Sequence, residues 1–254
     1  MDRDISLILS NWKFDPDDIC ARKITGQDGK EKLQIRLDLG LLQMELEGRP
    51  DGQRPHKCDS ALGHFQAKFE AYKAEHGSEK GFQLDEEACS ELWQESLHYY
   101  HRYICLLRLG DYEYVLGDTE HNLMIFDLVQ DYGVDEETRL SFEQYRPYVI
   151  MVQTRARGEL RLEDEDYDGA LRVLDEGIQR IRSFFDAFGD PELLESSEEL
   201  QALLSWQEEI LSERPLNLQQ RLARELQDAI AEENYERAAN LRDRLHRLEI
   251  AGRK

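Results

Sequence analysis

The sequence predicts a mainly α-helical protein with a small β-hairpin near its N-terminus. The chain of 254 residues contains only 6 prolines and 16 glycines, which suits long helices better than an all-β fold. From about residue 61 onward, apolar residues recur at spacings of three and four, as in helices that bury one face. An earlier stretch alternates apolar and polar residues, as in a half-buried strand. We therefore expect an N-terminal β-hairpin region at 1–60, a helical-repeat body at 61–214 and a helical hairpin at 215–254.

The N-terminal hairpin is predicted from the segment KLQIRLDLG and the segment ICARKIT before it. The Asp28-Gly29 pair between the two segments is typical of a tight turn. After Gly40 the apolar set changes phase, which predicts a bulge or the end of the strand. The alternating apolar positions of the main strand are Leu33, Ile35, Leu37 and Leu39. An isolated hairpin is marginal in water, so this one must lie on the helices or pair with a second copy.

The net charge of −22 is concentrated in the middle of the chain. Residues 61–215 carry 14 basic and 35 acidic side chains, whereas residues 216–254 carry 8 basic and 7 acidic ones. Because so acidic a body repels phosphate backbones, we predict no direct binding of DNA or RNA.

Membrane and secretion signals are not apparent in the sequence. The apolar stretch ISLILSNW is too short for the core of a signal peptide, and no apolar run is long enough to span a membrane. No C-x-x-C pair occurs among the four cysteines, Cys20, Cys58, Cys89 and Cys105. We expect a cytoplasmic protein of a reducing, bacterial-type compartment, without a membrane partner and without a cofactor.

A tyrosine motif recurs in the helical part of the chain. Tyr112, Tyr167 and Tyr235 each follow an acidic or amide residue, at intervals of 55 and 68 residues. The residues three positions later are small or β-branched: Val115, Ala170 and Ala238. We expect each tyrosine to begin the second helix of an antiparallel pair and to pack back on the first. This pattern over residues 85–190 resembles tetratricopeptide (TPR) repeats, although the helices are longer and the period differs, so we term the body TPR-like.

The C-terminal segment LNLQQRLARELQDAIAEENYERAANLRDRLHRLE predicts an αα-hairpin with Asn217 as its N-cap. A hairpin this small cannot stabilise itself well, so its apolar stripe calls for a second surface. We expect Tyr235 and Ala238 to close the inner seam. We expect an outer face, which docks on a partner, to carry Leu222, Leu226, Leu241 and Leu245.

This segment, and NYERAANLRDRL above all, resembles the UVR motif of the excinuclease subunits UvrB and UvrC. In that family the motif is a helical hairpin through which one subunit meets the other. The resemblance covers residues 216–249 and implies a protein partner, either another UVR-motif protein or a second copy of this chain. The protein-binding residues it indicates, together with the apolar stripe, are Leu222, Leu226, Ile230, Tyr235, Ala238, Ala239, Leu241, Arg242, Asp243 and Leu245.

The sequence also offers one metal-site hypothesis. Glu95-x-x-His98 and Asp118-x-x-His121 place a carboxylate and an imidazole on one face of each helix of a pair, the spacing of di-iron carboxylate bundles. Chance accounts for two such matches in an acid-rich chain more readily than a metal site does.

Other candidate residues have a plain structural interpretation beside a functional one. Arg49 and Arg54 flank the Pro50-Asp51-Gly52 turn and would suit an anion, but arginines beside a turn are usually solvated. The segment YYHRY, residues 99–103, would suit a ligand, but helix packing explains it more simply.

The favoured function is a non-catalytic adaptor or scaffold that docks through the hairpin. The first alternative is an accessory factor of nucleotide excision repair that acts through UvrB or UvrC. The second is a metal-dependent enzyme built on the carboxylate and histidine set. Neither a Walker phosphate loop nor a C-x-x-C zinc pair occurs in the sequence.

Overall fold

A computed structural model describes residues 4–188, 191–215, 218–231 and 233–251. The chain divides into two compact units, residues 1–207 and residues 208–254. The protein is mainly helical with a small N-terminal antiparallel sheet, as predicted. None of the helices in these described ranges has the length and apolar character needed to cross a membrane.

In the first unit a short helix precedes the sheet, and a series of helices follows it. The strands are β1 (Ala21–Thr25), β2 (Glu31–Leu37) and β3 (Gly40–Glu45). The helices are α1 (Ser6–Ser10), α2 (Ala61–His76), α3 (Glu86–Leu109), α4 (Tyr112–Tyr132), α5 (Glu136–Glu143), α6 (Arg146–Glu163), α7 (Tyr167–Phe188) and α8 (Pro191–Ser196). In the chain, α9 (Glu198–Glu213) runs across the division between the units.

The sheet is an antiparallel meander in the order β1-β2-β3. The predicted hairpin is confirmed: Gly29 adopts a φ of 76° in the turn between β1 and β2. A third strand extends it after Gly40, where the apolar phase changes. The prediction that Leu37 and Leu39 belong to the buried set is wrong, because these side chains are 39% and 89% exposed. Leu37 pairs with Gly40, so Leu39 occupies the two-residue turn between the strands.

The sheet packs on the helices of its own unit. Leu33 and Met44 face each other across β2 and β3 and share one buried core with Cys105 and Leu106 of α3 and Val115 of α4. Of the two arrangements expected for the hairpin, the structure shows that it lies on the helices.

The helices of the body pack in successive neighbours, with α3 on α4, α4 on α6 and α6 on α7. The helices α6 and α7 approach each other closely at Gly177, where a Cβ would come within 2.2 Å of Oγ1 of Thr154. Pro147 lies in the first turn of α6, so it marks the start of that helix.

The second unit contains the predicted αα-hairpin, α10 (Leu218–Ala231) and α11 (Tyr235–Ala251). These helices pack against each other along their lengths. The predicted N-cap, Asn217, lies outside the described residues.

Candidate protein-interaction site

The turn of the C-terminal hairpin is a Schellman motif followed directly by an N-cap. Glu233 has a φ of 55°, and its N–H donates to the carbonyl of Ile230 at 3.0 Å. The N–H of Asn234 donates to the carbonyl of Ala229 at 2.8 Å, which completes the motif. The side chain of Asn234 then accepts a hydrogen bond from the N–H of Arg237 at 3.1 Å, so it caps α11. These hydrogen bonds pair backbone groups at the end of α10 and at the start of α11.

The same turn joins α6 to α7. Glu165 has a φ of 57°, and its N–H donates to the carbonyl of Leu162 at 2.9 Å. The N–H of Asp166 donates to the carbonyl of Arg161 at 2.8 Å. Each of these residues lies 68 positions before its counterpart in the hairpin.

A further copy of the turn, the first in chain order, joins α3 to α4 and has glycine at the left-handed position. Gly110 has a φ of 79° and donates to Leu107 at 3.2 Å, and Asp111 donates to Leu106 at 3.0 Å. In this copy the carboxylate of Asp111 accepts from Nζ of Lys23 at 2.7 Å and so ties the turn to the sheet. The repeat predicted from the tyrosines is therefore also a repeat of backbone geometry.

The three tyrosines each occupy the first position of a helix, in α4, α7 and α11. The residue three positions later is buried in every copy: Val115, Ala170 and Ala238 are 0%, 0% and 8% exposed. Small side chains at these positions let the paired helices approach closely. This part of the motif's predicted mechanism agrees with the structure.

The hairpin folds around a small core of its own. This core consists of Leu222 and Ala229 from α10 with Ala238 and Leu241 from α11. Leu226 and Leu245, which are partly buried, pack against it. The prediction that the leucines form an outer docking face is therefore wrong. Among the described side chains, the hairpin uses these four leucines for its own seam.

The remaining predicted binding residues lie on the surface. Ile230 is 53% exposed and Tyr235 is 69% exposed, so Tyr235 does not close the inner seam as predicted. Arg242 and Asp243 pair with each other at 3.0 Å, with side chains 71% and 60% exposed. Ala239 is also exposed. Ile230 and Tyr235 stand on either side of the turn and form the apolar tip of the hairpin.

The equivalent positions in the first copy of the turn are covered. Leu107 and Tyr112 stand where the hairpin has Ile230 and Tyr235, and both pack against the main core of the first unit. The two tip residues are therefore partly buried against the core in this copy of the turn, whereas in the C-terminal hairpin they are exposed.

The proposed metal ligands are only partly brought together. Glu95, Asp118 and His121 already have hydrogen-bond partners, and Nδ1 of His98 lies 3.7 Å from Asp51 rather than against the other proposed ligands. The carboxylate of Glu95 is 0% exposed and lies 2.9 Å from both Nε2 of His121 and Nε of Arg49. It also accepts the backbone N–H groups of Ala61 and Leu62 at 2.7 and 3.0 Å, at the start of α2. Desolvation opposes the charge, but the hydrogen bonds from His121, Leu62 and Ala61 lower the pKa of Glu95 below its ordinary value.

Asp118 likewise has a structural role. Its two oxygens accept from Nε and Nη2 of Arg102 at 2.8 and 2.6 Å. The same guanidinium donates to the carbonyls of Glu45 and Gly48 at 3.0 and 2.6 Å, at the end of β3. In the described residues, no group of three or more His, Cys, Asp or Glu side chains is arranged to hold a metal ion.

The two arginines beside the Pro50-Asp51-Gly52 turn differ in their surroundings. Arg49 is buried and bridges Asp51 and Glu95 at 3.0 and 2.9 Å. Arg54 is exposed and pairs with Asp59 at 2.7 Å. Sequence reasoning missed the structural role of Arg49 because its carboxylate partner lies far along the chain on α3.

These features define the class of the second unit: a small helical hairpin that is closed by its own core and presents apolar side chains at its tip. Residues 217–251 match the UVR family, described as the UvrB/uvrC motif, which confirms the resemblance. This motif is generally a protein-interaction module. Neither the comparison with curated proteins nor the comparison with solved structures finds a match to the chain.

Proposed function

We propose that the protein is a non-catalytic adaptor that docks through the tip of its UVR hairpin. The partner is a second hairpin of the same kind, carried by another protein or by a second copy of this chain. The observation that carries the proposal is the pair Ile230 and Tyr235. They occupy positions that are packed on the core in the first copy of the turn but exposed in the matched motif.

The size and character of this tip suit a docking anchor. Tyrosine presents a large rigid ring at a low cost in conformational entropy, and aromatic anchors carry much of the binding energy at protein interfaces. At the tip, the exposed side chains of Tyr235 and Ile230 flank the turn. Because the leucine seam is already satisfied within the hairpin, docking does not require the hairpin to open.

The charge of the segment supports association with a like partner. Residues 216–254 carry 8 basic and 7 acidic side chains, so two such hairpins do not repel each other strongly. The body, with 14 basic and 35 acidic residues between 61 and 215, is suited instead to remain in solvent. In this proposal the TPR-like body is the scaffold that the hairpin attaches to its partner.

A narrower candidate is an accessory factor of nucleotide excision repair. The match to the UvrB/uvrC motif favours it, because it makes UvrB or UvrC a natural carrier of the second hairpin. The identity of the partner that contacts position 235 distinguishes this candidate from a general adaptor.

Site-specific photocrosslinking in the full-length chain tests the proposal. A photoreactive phenylalanine analogue replaces Tyr235 in one variant. In a control variant it replaces Tyr114, which is 38% exposed in the first unit. We expect position 235 to crosslink to a UVR hairpin of another protein or of a second copy. Equal or absent crosslinking at the two positions would contradict docking through the tip.

A further inference from the structure

A cavity in the first unit has the composition of a ligand site. Its volume is about 520 Å³, within the range of small-molecule pockets, and it lies where α3, α4 and α6 meet. Aromatic side chains make up much of its wall: Trp93, Tyr100, Tyr103, Phe126 and Tyr148. Two of these residues belong to the YYHRY segment, for which hairpin docking supplies no role.

Several of these rings are only partly buried. Trp93, Tyr100 and Tyr148 are half-buried, and Tyr145, which also lines the cavity, is 44% exposed. The ring centroids of Trp93 and Tyr145 are 5.4 Å apart, and those of Tyr100 and Tyr148 are 6.2 Å apart. Aromatic faces carry partial negative charge and attract cations.

A buried acceptor in the wall lacks a donor. Asn122 is 2% exposed and lines the cavity, and its amide nitrogen donates to the carbonyl of Ser96 at 3.0 Å. Among the residues that the structure describes, its Oδ1 has no hydrogen-bond partner, although the amide lies close to the hydroxyl of Tyr103. Buried polar atoms are nearly always satisfied, so an N–H from a ligand would complete this one.

The charge of the cavity has one sign. Glu199 of α9 contributes a carboxylate to the lining, and no basic side chain occurs among the described residues that line it. The guanidinium of Arg146 lies 5.9 Å from the Phe126 ring, but it is paired with Asp127 and Glu143. The cavity therefore presents π faces, an unpaired acceptor and a carboxylate, and no cation to balance them.

We propose that this cavity binds a small organic cation: an ammonium or alkylated ammonium group on an apolar body. The rings would enclose the apolar body and attract the charge, Asn122 would accept an N–H, and Glu199 would supply the counter-charge. The proposal is independent of hairpin docking, because every residue that it uses belongs to the first unit.

Titration calorimetry on the full-length protein with matched probes tests the charge preference. The probes are 2-phenylethylammonium and benzyltrimethylammonium, with 2-phenylethanol and phenylacetate as neutral and anionic counterparts. We expect the cations to bind with a Kd of about 0.1–1 mM, as suits ligands of this size, and at least about tenfold more tightly than the alcohol. Failure of both cations to bind, or equal binding of the alcohol or carboxylate, would overturn the proposal.

Variants then test the assigned residues. Glu199→Gln removes the charge at nearly constant shape and should weaken both cations about tenfold without changing the alcohol. The matched control is Glu198→Gln, the same change at the exposed neighbouring position, which should leave binding unaltered. Asn122→Leu should weaken 2-phenylethylammonium more than benzyltrimethylammonium, which has no N–H to donate. If Glu198→Gln and Glu199→Gln behaved alike, the assignment of the counter-charge would be wrong.

Discussion

At the residue scale, the buried carboxylate of Glu95 connects three parts of the first unit. It receives the N-terminus of α2, the guanidinium of Arg49 from the loop after β3, and the imidazole of His121 from α4. The sequence showed the spacings Glu95-x-x-His98 and Asp118-x-x-His121, but these spacings alone did not distinguish metal ligands from structural acceptors. The deciding partner, Arg49, lies 46 positions earlier in the chain.

Replacing this carboxylate should lower stability. We expect Glu95→Gln to reduce the free energy of unfolding by about 3 kcal/mol at neutral pH, because it removes the buried one of the two carboxylates that pair with Arg49. Since the pKa of Glu95 is lowered in the folded state, its contribution is present above the unfolded pKa and is lost as the pH falls through the folded pKa. The difference between wild type and variant, measured by urea unfolding, should therefore shrink on acidification below about pH 4.5. A difference that stays constant or grows would contradict this role.

The histidines of α3 should also lower stability as the pH falls, but in the pH range of imidazole. Burial lowers the pKa of both His98 and His101. Unfolded chains therefore bind more protons than the folded protein below about pH 6.5, so these residues lower stability as the pH falls through that value. We expect the stability of wild type, relative to a His98→Gln/His101→Gln variant, to decrease between pH 7 and pH 5.5. Both proteins carry the same acidic body, so its charge repulsion cancels in the comparison. A stability difference that does not change with pH would contradict this role of the two histidines.

At the element scale, glycines in two helices should respond oppositely to the same substitution. Gly117→Ala in α4 meets open space and should raise the free energy of unfolding by about 0.5–1 kcal/mol, through better helix propensity. Gly177→Ala in α7 would place a Cβ 2.2 Å from Thr154 and should lower it by about 1–3 kcal/mol. Thermal unfolding of the two variants measures both changes in stability. Stabilisation by Gly177→Ala would contradict close packing of α7 against α6.

The hairpin offers a second test at this scale. Leu241 is 3% exposed in the seam, so Leu241→Ala should destabilise the second unit by about 2–4 kcal/mol. Tyr235→Ser should leave its helicity unchanged because the ring is 69% exposed. Hydrogen exchange over residues 218–251 separates the two effects. Equal protection from hydrogen exchange in the two variants would indicate that the leucines lie on the outer face.

Much of the architecture could be predicted from local pattern. The period-two strand, the turn at Asp28-Gly29 and the helix starts at the three tyrosines all follow from residues close in sequence. The face of the hairpin could not be predicted, because Leu222 and Tyr235 both fit an apolar stripe at helical spacing. Which of them is buried depends on how α10 and α11 rotate about their axes, and that is fixed by the small residues Ala229 and Ala238.

At the scale of the whole molecule, the same turn recurs, but its apolar tip is packed on the core in one copy and exposed in another. In the first unit the tip at Leu107 and Tyr112 is part of the folding core. In the UVR hairpin the equivalent tip, Ile230 and Tyr235, remains available. In the proposed function, the near-neutral hairpin docks and the acidic body remains in solvent.

The most direct test of this account is the affinity of the full-length chain for the hairpin that crosslinks at position 235, measured by calorimetry or, for self-association, by sedimentation. The variant is Ile230→Ser/Tyr235→Ser. The control is Leu39→Ser, which removes an apolar side chain that is 89% exposed in the first unit. We predict that the double variant keeps its helical circular dichroism and binds about 10- to 100-fold more weakly, while the control binds like wild type. An unchanged affinity in the double variant, or an equal loss in the control, would contradict docking through the tip.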